Sequence, residues 1–119
     1  MKILINLDCL TNNNSFDYEL LLTDSPQTML IQLLRCLGEE FSIIVYTTIL
    51  EEYRLQVEDW LIEHDVPADE VLMRRDYSKN HECILDMANS CDMVHTVIER
   101  NVRVVEVLRE NDFHVLEAF

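Results

Sequence analysis

ILINLD, at residues 3–8, places an apolar run directly before two polar side chains, Asn6 and Asp8. Apolar residues at nearly every position are typical of a strand that is covered on both faces of a parallel sheet. Because the side chains of an extended chain alternate between its two faces, residues 6 and 8 are expected to project from the same side. The stretch therefore predicts a buried strand with two polar groups at its carboxyl end.

Similar apolar runs alternate with helical patterns along the rest of the chain. Strands are predicted at residues 43–48, 71–73, 93–98 and 113–116, and helices at 26–37, 51–64, 79–89 and 101–111. The first helix is predicted to have Ser25 as its N-cap, Pro26 as its first residue and Gly38 as its C-terminal cap. In the second helix Trp60 shares the phase of Val57 and is expected in the core. Five strands alternating with four helices predict an α/β fold, a parallel sheet with helices on both faces.

The length of 119 residues predicts one domain, over residues 1–119. The longest apolar runs fall far short of the roughly 20 residues that a membrane span needs. The chain leads straight into its first strand without a secretory segment, so we expect a cytoplasmic protein. The four cysteines are widely spaced and lack a zinc-ligand pattern. Reduced structural thiols are therefore expected at Cys36, Cys83 and Cys91, whereas Cys9, just past Asp8, is the exception whose exposure and role the sequence leaves open.

Charge is the strongest signal in the composition. The chain has 23 acidic residues against 9 lysines and arginines, which gives a formal net charge of −14. A field of that sign repels the phosphates of nucleic acids and attracts basic proteins. Direct nucleic-acid binding is therefore not expected, whereas a basic partner protein is. The alternative is that the acidity only keeps a small protein soluble.

Three stretches resemble one family of proteins. They are INLD at residues 5–8, IIVYTTILEEYRLQVEDWL at 43–61 and VIERNVRVVEVLRE at 97–110. Their order and spacing are similar to the haloacid dehalogenase-like (HAD) superfamily, and within it to the 3′-phosphatase domain of phage-type polynucleotide kinases. Together with LMR at residues 72–74, the resemblance covers nearly the whole chain.

The resemblance implies a site at the carboxyl ends of the strands, with some of its residues changed. The family's nucleophilic aspartate falls on Asn6, a neutral amide that cannot form an aspartyl-phosphate. The general acid/base falls on Asp8 and the hydroxyl that grips phosphate on Thr47. The family's basic residue falls on Lys79 or His81: its charge favours Lys79, and its spacing to the following residues favours His81.

The family's paired metal-binding aspartates fall on Glu99 and Arg100. Magnesium needs hard oxygen ligands, and Arg100 brings a fixed positive charge to the place of the cation. We therefore expect no cofactor; if a metal binds, Asp8 and Glu99 are the ligands that remain, and Mg²⁺ is the alternative cofactor. Arg100 is expected to bridge Asp8, Glu99 or both where the metal would lie.

The resemblance also implies a Rossmann-like, three-layer domain with the strand order 5-4-1-2-3. Right-handed crossovers agree with this order, in which the first strand is central. The family often inserts a cap domain after the first or the third strand. Here the first connection, residues 11–24, and the third are too short for one. A fold without a cap leaves the end of the sheet open to a macromolecule.

Two functions follow from these residues. The first is a catalytically degenerate HAD-like protein, encoded by a phage, that binds or inhibits a basic host protein, with nucleic-acid-handling proteins as one class of target. The alternative is a weak Mg²⁺-dependent phosphatase acting on nucleotide or polynucleotide ends. Asn6 and Arg100 together argue against the enzyme. Contacts with the basic partner are expected at the acidic pairs Glu51, Glu52, Glu58 and Asp59.

Overall fold

A computed structural model describes residues 1–11, 25–76 and 78–118 of the chain. The strands are β1 (Lys2–Asn6), β2 (Ser42–Leu50), β3 (Glu70–Arg74), β4 (Val94–Glu99) and β5 (Val115–Glu117). The α-helices of the described residues are α1 (Thr28–Leu37), α2 (Arg54–Glu63), α3 (Asn80–Asn89) and α4 (Val102–Glu110), and 3₁₀ turns span Leu7–Leu10 and Glu51–Tyr53. None of these helices is long and apolar enough to span a lipid bilayer.

All five strands are parallel and lie in the order β3-β2-β1-β4-β5. This is the predicted order, read from the opposite edge, so the predicted fold class is confirmed. Ile3 is level with Ile43 on one side and with Thr96 on the other, which makes β1 the central strand. The carboxyl ends of β2, β1 and β4 therefore adjoin, and open α/β sheets bind their ligands at such an edge.

The sheet separates two apolar clusters. On one face, residues of β1 and β2 such as Ile5 and Val45 pack with α1 and α2. On the other face, alternate residues such as Leu4 and Ile44 pack with α3 and α4. Because both faces are covered, the middle of β1 (Ile3–Ile5) and of β2 (Ile43–Val45) is continuously apolar, without the alternation expected of a sheet that has one face in water.

Two helix starts differ from the sequence prediction. Ser25 is not the N-cap of α1, which begins at Thr28 with Gln27 before it. Pro26 forms an isolated antiparallel bridge with Thr11, and the Gln27 amide donates to the carbonyl of Leu10 over 2.8 Å, so this segment pairs with the chain after β1 before the helix begins. The second helix was predicted to begin at residue 51. Instead, β2 continues to Leu50, a 3₁₀ turn spans Glu51–Tyr53, and α2 begins at Arg54.

Other predicted features agree with the structure. Gly38 is the C-cap of α1, although its φ of −64° is right-handed and any residue can adopt it. A Cβ at this position would lie 3.2 Å from the carbonyl oxygen of Leu34, a tight contact that a small shift of the neighbour would have to relieve. Trp60 is buried in the core, as predicted. The third connection, between Arg74 and Asn80, is short, whereas residues 12–24 of the first connection lie outside the described part of the chain.

Candidate functional site

The carboxyl ends of β1 and β4 meet through a buried hydrogen bond. Asn6 is the last residue of β1 and Glu99 is the last residue of β4. The Asn6 amide nitrogen donates to Glu99 Oε1 over 2.7 Å, and both side chains are buried. The structure thus joins the predicted nucleophile position directly to one of the two predicted metal-ligand positions.

Glu99 accepts three further hydrogen bonds. The hydroxyl of Tyr46, on β2, donates to Glu99 Oε1 over 2.9 Å. The main-chain amides of Arg100 and Asn101 donate to Oε2 over 2.7 and 3.0 Å. A carboxylate offers about four lone-pair positions, and all of them are used here. We call the side chains of Asn6, Tyr46 and Glu99 the Glu99 cluster. Hydrogen bonds from the protein itself satisfy the carboxylate of Glu99.

Two neutral acids lie close to this carboxylate. Burial, followed by the charge of Glu99 and its hydrogen bond, raises the pKa of the Tyr46 hydroxyl well above its usual value. Burial also raises the pKa of the Cys9 thiol, and the charges of Glu99 and Asp8 raise it further, while Arg100 lowers it. Both groups therefore stay protonated at neutral pH. Tyr46 can donate to Glu99, and Cys9 is not a thiolate nucleophile.

The expectation that Asn6 and Asp8 project from one side of an extended strand is wrong. The strand ends at Asn6, whose side-chain oxygen accepts the main-chain amide of Asp8 over 3.0 Å. Asn6 is thereby the N-cap of the 3₁₀ turn Leu7–Leu10, and Asp8 lies inside that turn. Asparagine favours this capping geometry because its short side chain reaches a nearby amide. Asp8 therefore does not continue the alternation of the strand.

Arg100 is placed differently from the prediction. Its guanidinium donates to the main-chain carbonyl of Asp8 over 3.2 Å, whereas Glu99 accepts the main-chain amide of Arg100. Arg100 was expected to bridge Asp8, Glu99 or both; it contacts Asp8 through the main-chain carbonyl, and among the described residues no ion pair joins its guanidinium to Glu99. The reason is that Glu99 directly precedes the amino end of α4, where unpaired main-chain amides are available as donors.

The remaining predicted site residues are not joined to the Glu99 cluster in one network. Thr47 is buried on β2, and its hydroxyl accepts the amide of Ile49 over 3.2 Å. Lys79 is exposed at the start of α3, and His81 is half-buried in its first turn. Among the described residues, neither basic side chain hydrogen-bonds to the cluster. The choice between Lys79 and His81 stays a prediction.

The residues at this edge do not fit a magnesium ion. Mg²⁺ requires oxygen ligands with free lone pairs in near-octahedral geometry. Both oxygens of Glu99 are already used by four donors, and the side chain of Arg100 carries a positive charge beside Asp8. In the described ranges, no group of three or more His, Cys, Asp or Glu side chains is arranged to hold a metal.

Sequence reasoning missed two members of this arrangement. Tyr46 reads as one more apolar strand residue, although it is the partner of Asn6 in the register of β1 with β2. Asn101 supplies a main-chain amide to Glu99, and its side chain accepts the amide of Val104 over 3.2 Å as the N-cap of α4. An asparagine just before a helical pattern is a recognisable N-cap signal, so this second residue was detectable.

The four acidic residues predicted to bind a partner fall into two kinds. Arg54 is held by Glu51 at 2.5 and 3.0 Å and by Glu58 at 3.1 Å, and it also donates to the carbonyl of Val71 over 3.1 Å. The hydrogen bond from Arg54 lowers the pKa of Glu51. The guanidinium of Arg54 thus partly neutralises the negative charges of Glu51 and Glu58. Glu52 and Asp59 are exposed, together with other carboxylates of this region.

The fold is shared with chains of solved multiprotein complexes. A chain of a Pnkp1/Rnl/Hen1 complex matches with a TM-score of 0.85 and 20% sequence identity, over 98% of this chain and 45% of that one. A chain of a Pnkp1/Rnl/Hen1 RNA repair complex matches with a TM-score of 0.86 and 18% identity, over 98% of this chain and 42% of that one. The protein thus spans less than half the length of either neighbour. No protein-family model and no curated protein matches the sequence.

Proposed function

We propose that this chain is a catalytically degenerate HAD-like domain that acts by binding a basic protein. The proposal is supported above all by the four hydrogen bonds that occupy the carboxylate of Glu99. In a metal-dependent phosphatase, carboxylates at this edge would hold the cation that neutralises the phosphoryl group. Here the amide of Asn6 donates a hydrogen bond to Glu99, whereas in such an enzyme the side chains at these two positions would both bind the metal ion.

The chemistry of the individual side chains supports the same proposal. The amide of Asn6 is neutral and does not attack phosphorus. Cys9, the nearest thiol, has a raised pKa and remains protonated. Asp8 retains the type of residue that a general acid requires, but an acid needs a nucleophile to work with. The position of the family's nucleophile, Asn6, therefore offers no acceptor for a phosphoryl-enzyme intermediate.

The net charge supports the binding half of the proposal. With a formal charge of −14, the chain attracts basic proteins and repels nucleic acid. Both structural neighbours are chains of multiprotein complexes, one of them an RNA repair complex. We propose that the partner is a basic protein that handles nucleic acid, and that this chain, encoded by a phage, occupies or blocks the partner's basic groove in the host cytoplasm.

Phosphatase assays test the first half. We expect no hydrolysis of p-nitrophenyl phosphate or of a 3′-phosphorylated oligonucleotide with Mg²⁺ present. Asp8→Ala is the matched control, because it removes the proposed acid and should change nothing in an inactive protein. Robust turnover that disappears in Asp8→Ala would overturn the proposal and restore the weak phosphatase.

Variants that restore the family's acidic residues test which substitution removes the phosphatase activity. Asn6→Asp alone should not restore activity, because it sets a second carboxylate against Glu99 while Arg100 still opposes a cation. Asn6→Asp combined with Arg100→Asp restores an acidic residue at the two positions where the family's aspartate is lost, so this double variant is expected to come closer to measurable turnover than either single variant. If Asn6→Asp alone gives full activity, the positive charge of Arg100 is irrelevant to the defect.

Capture from a host extract tests the second half. The retained protein is expected to be basic, to be released as salt rises and to be displaced by added nucleic acid. Electrostatic steering weakens as the Debye length falls to about 10 Å, near 0.1 M salt. The chain itself should not bind the same nucleic acid. Retention that is indifferent to salt would contradict an electrostatic interface.

A further inference from the structure

Helix α2 is apolar on two opposite faces. Its inner face buries Val57, Trp60 and Leu61 against the sheet. On its outer face, Leu55 is 68% exposed and Ile62 is 74% exposed. These two residues are two helical turns apart and therefore lie on one stripe, with Glu58 and Asp59 between them. The folded core does not use this outer stripe.

A groove borders the stripe where α2 faces the edge strand β3. Its volume is about 500 Å³; Leu61, Ile62 and Val66 line its apolar part, Glu58, Asp69 and Glu70 line its acidic part, and Arg54 lies among them. β3 is the last strand of the sheet on this side among the described residues. We call this depression the α2–β3 groove. It combines apolar contact area with carboxylates that lie within reach of the same ligand.

Negative charge is concentrated around this groove. Residues 51–70 contain eight carboxylates and one cation, Arg54, so their formal charge is −7, half of the −14 of the whole chain. Arg54 is already held by Glu51 and Glu58. A second copy of this chain or a nucleic acid would meet like charge here. The complementary occupant is cationic.

We propose that the α2–β3 groove and the outer stripe of α2 bind a cationic amphipathic segment of the partner protein. One apolar side chain of that segment packs on Ile62 and Val66, and flanking lysines or arginines face Asp69 and Glu70, whereas Glu58 is already paired with Arg54. This inference rests on the proposed binding function and names its surface. It moves the contact from the acidic pairs predicted by sequence toward the end of α2 and β3.

A synthetic peptide tests the site without knowledge of the partner. The probe is a short fluorescent peptide of lysine and leucine at helical spacing, titrated at ionic strength below about 0.1 M, where screening is weak. A second peptide with serine in place of leucine keeps the charge and removes the apolar anchor. The lysine–leucine peptide is expected to bind more tightly, by about tenfold or more, which corresponds to ~1.4 kcal/mol. Its amide shift changes are expected in α2 and β3.

Matched variants separate the groove from general charge attraction. Glu70→Lys should weaken the peptide by about tenfold, while Glu110→Lys, the same charge change on α4, should weaken it by less than about threefold. Ile62→Ser should weaken it in the same way, whereas Leu116→Ser, at a residue 58% exposed on β5, should not. All four side chains are exposed, so circular dichroism can confirm that each variant folds.

The outcomes decide between the groove and the rest of the surface. Equal binding of the two peptides, equal effects of Glu70→Lys and Glu110→Lys, or shift changes centred away from α2 would overturn this inference. Those results would leave the proposed function standing, since a basic partner could use another surface. Measurable phosphatase turnover lost in Asp8→Ala would instead overturn the function itself, whatever the peptide does.

Discussion

The Glu99 cluster and the α2–β3 groove use carboxylates in opposite ways. Glu99 is completely buried, and four donors of its own chain satisfy it. At the groove, exposed carboxylates such as Glu70 outnumber the nearby cation, Arg54. A buried charge is costly unless hydrogen bonds compensate it, whereas an exposed one acts at a distance on other molecules. The first region therefore stabilises the fold, and the second is available to a partner.

The largest effect that tests this comparison is expected at Glu99. Glu99→Ala leaves the Asn6 amide, the Tyr46 hydroxyl and two main-chain amides without their acceptor. The expected loss in the free energy of unfolding is about 3–5 kcal/mol, measured by urea denaturation. Glu117→Ala is the control, because Glu117 is level with Glu99 on β5 but is only half-buried, and it should cost less than about 1 kcal/mol. Similar losses in the two variants would mean that the cluster does not stabilise the fold.

Tyr46 gives the next effect. Tyr46→Phe keeps the ring in the core and removes one donor from Glu99, which leaves Oε1 with Asn6 alone. Hydrogen bonds to charged groups contribute more than neutral ones, so a loss of about 1.5–3 kcal/mol is expected at neutral pH. Urea denaturation of the two proteins measures it. A variant as stable as the original chain would show that Glu99 does not depend on this hydroxyl.

The stability of Tyr46→Phe should also depend on pH differently from that of the original protein. The pKa of Tyr46 in the folded protein is raised above the usual 10.0, so its contribution to stability is complete below that pH and is lost as the pH rises above it. Cys9 acts in the same direction from about pH 9.0 upward. Stability should fall in alkali for the original protein and fall less steeply for Tyr46→Phe. Parallel curves for the two proteins would contradict this assignment.

The sequence predicts the fold better than it predicts the site. Continuous apolar runs identify buried parallel strands, because burial on both faces leaves no other pattern. The resemblance placed Asn6 and Glu99 at adjoining strand ends, where the structure has them. The bond between Asn6 and Glu99 joins residues far apart in sequence, as does that from Tyr46, and no local pattern encodes either. The expectation that Asp8 continues the extended strand was wrong because the capping preference of asparagine competes with strand extension.

The helix boundaries also show what the sequence alone does not predict. Ser25 and Pro26 form a good local start signal for a helix, yet the structure delays α1 to Thr28. The competing interaction is the bridge from Pro26 to Thr11, a tertiary contact that local preference does not contain. Local signals thus predicted the existence and type of the elements, and contacts between distant segments set their ends.

Arg54 tests the groove side of the comparison. Arg54→Ala removes the bonds to Glu51, Glu58 and the carbonyl of Val71. Because these groups are partly exposed, the loss of stability should be only about 1 kcal/mol. The variant also frees two carboxylates, so it should bind the lysine–leucine peptide more tightly than the original chain. Arg103→Ala, at an exposed arginine on α4, is the control and should change neither property appreciably. Weaker peptide binding by Arg54→Ala would show that Arg54 contacts the peptide favourably.

The smallest loss of stability is expected at Arg100, although this residue replaces a metal-binding aspartate of the family that the sequence resembles. Its guanidinium donates to the main-chain carbonyl of Asp8, while Glu99 is satisfied by the Arg100 amide, which alanine keeps. Arg100→Ala should therefore cost less than about 1 kcal/mol, far below Glu99→Ala, in the same urea measurement. Added Mg²⁺ should shift the melting temperature of neither protein, because the oxygens of Glu99 remain occupied. A loss as large as that of Glu99→Ala, or stabilisation of the variant by Mg²⁺, would mean that the guanidinium neutralises this edge after all. The two regions would then differ in the source of the compensating charge, and the poor fit of this strand edge to Mg²⁺ would depend on Arg100 as much as on Asn6.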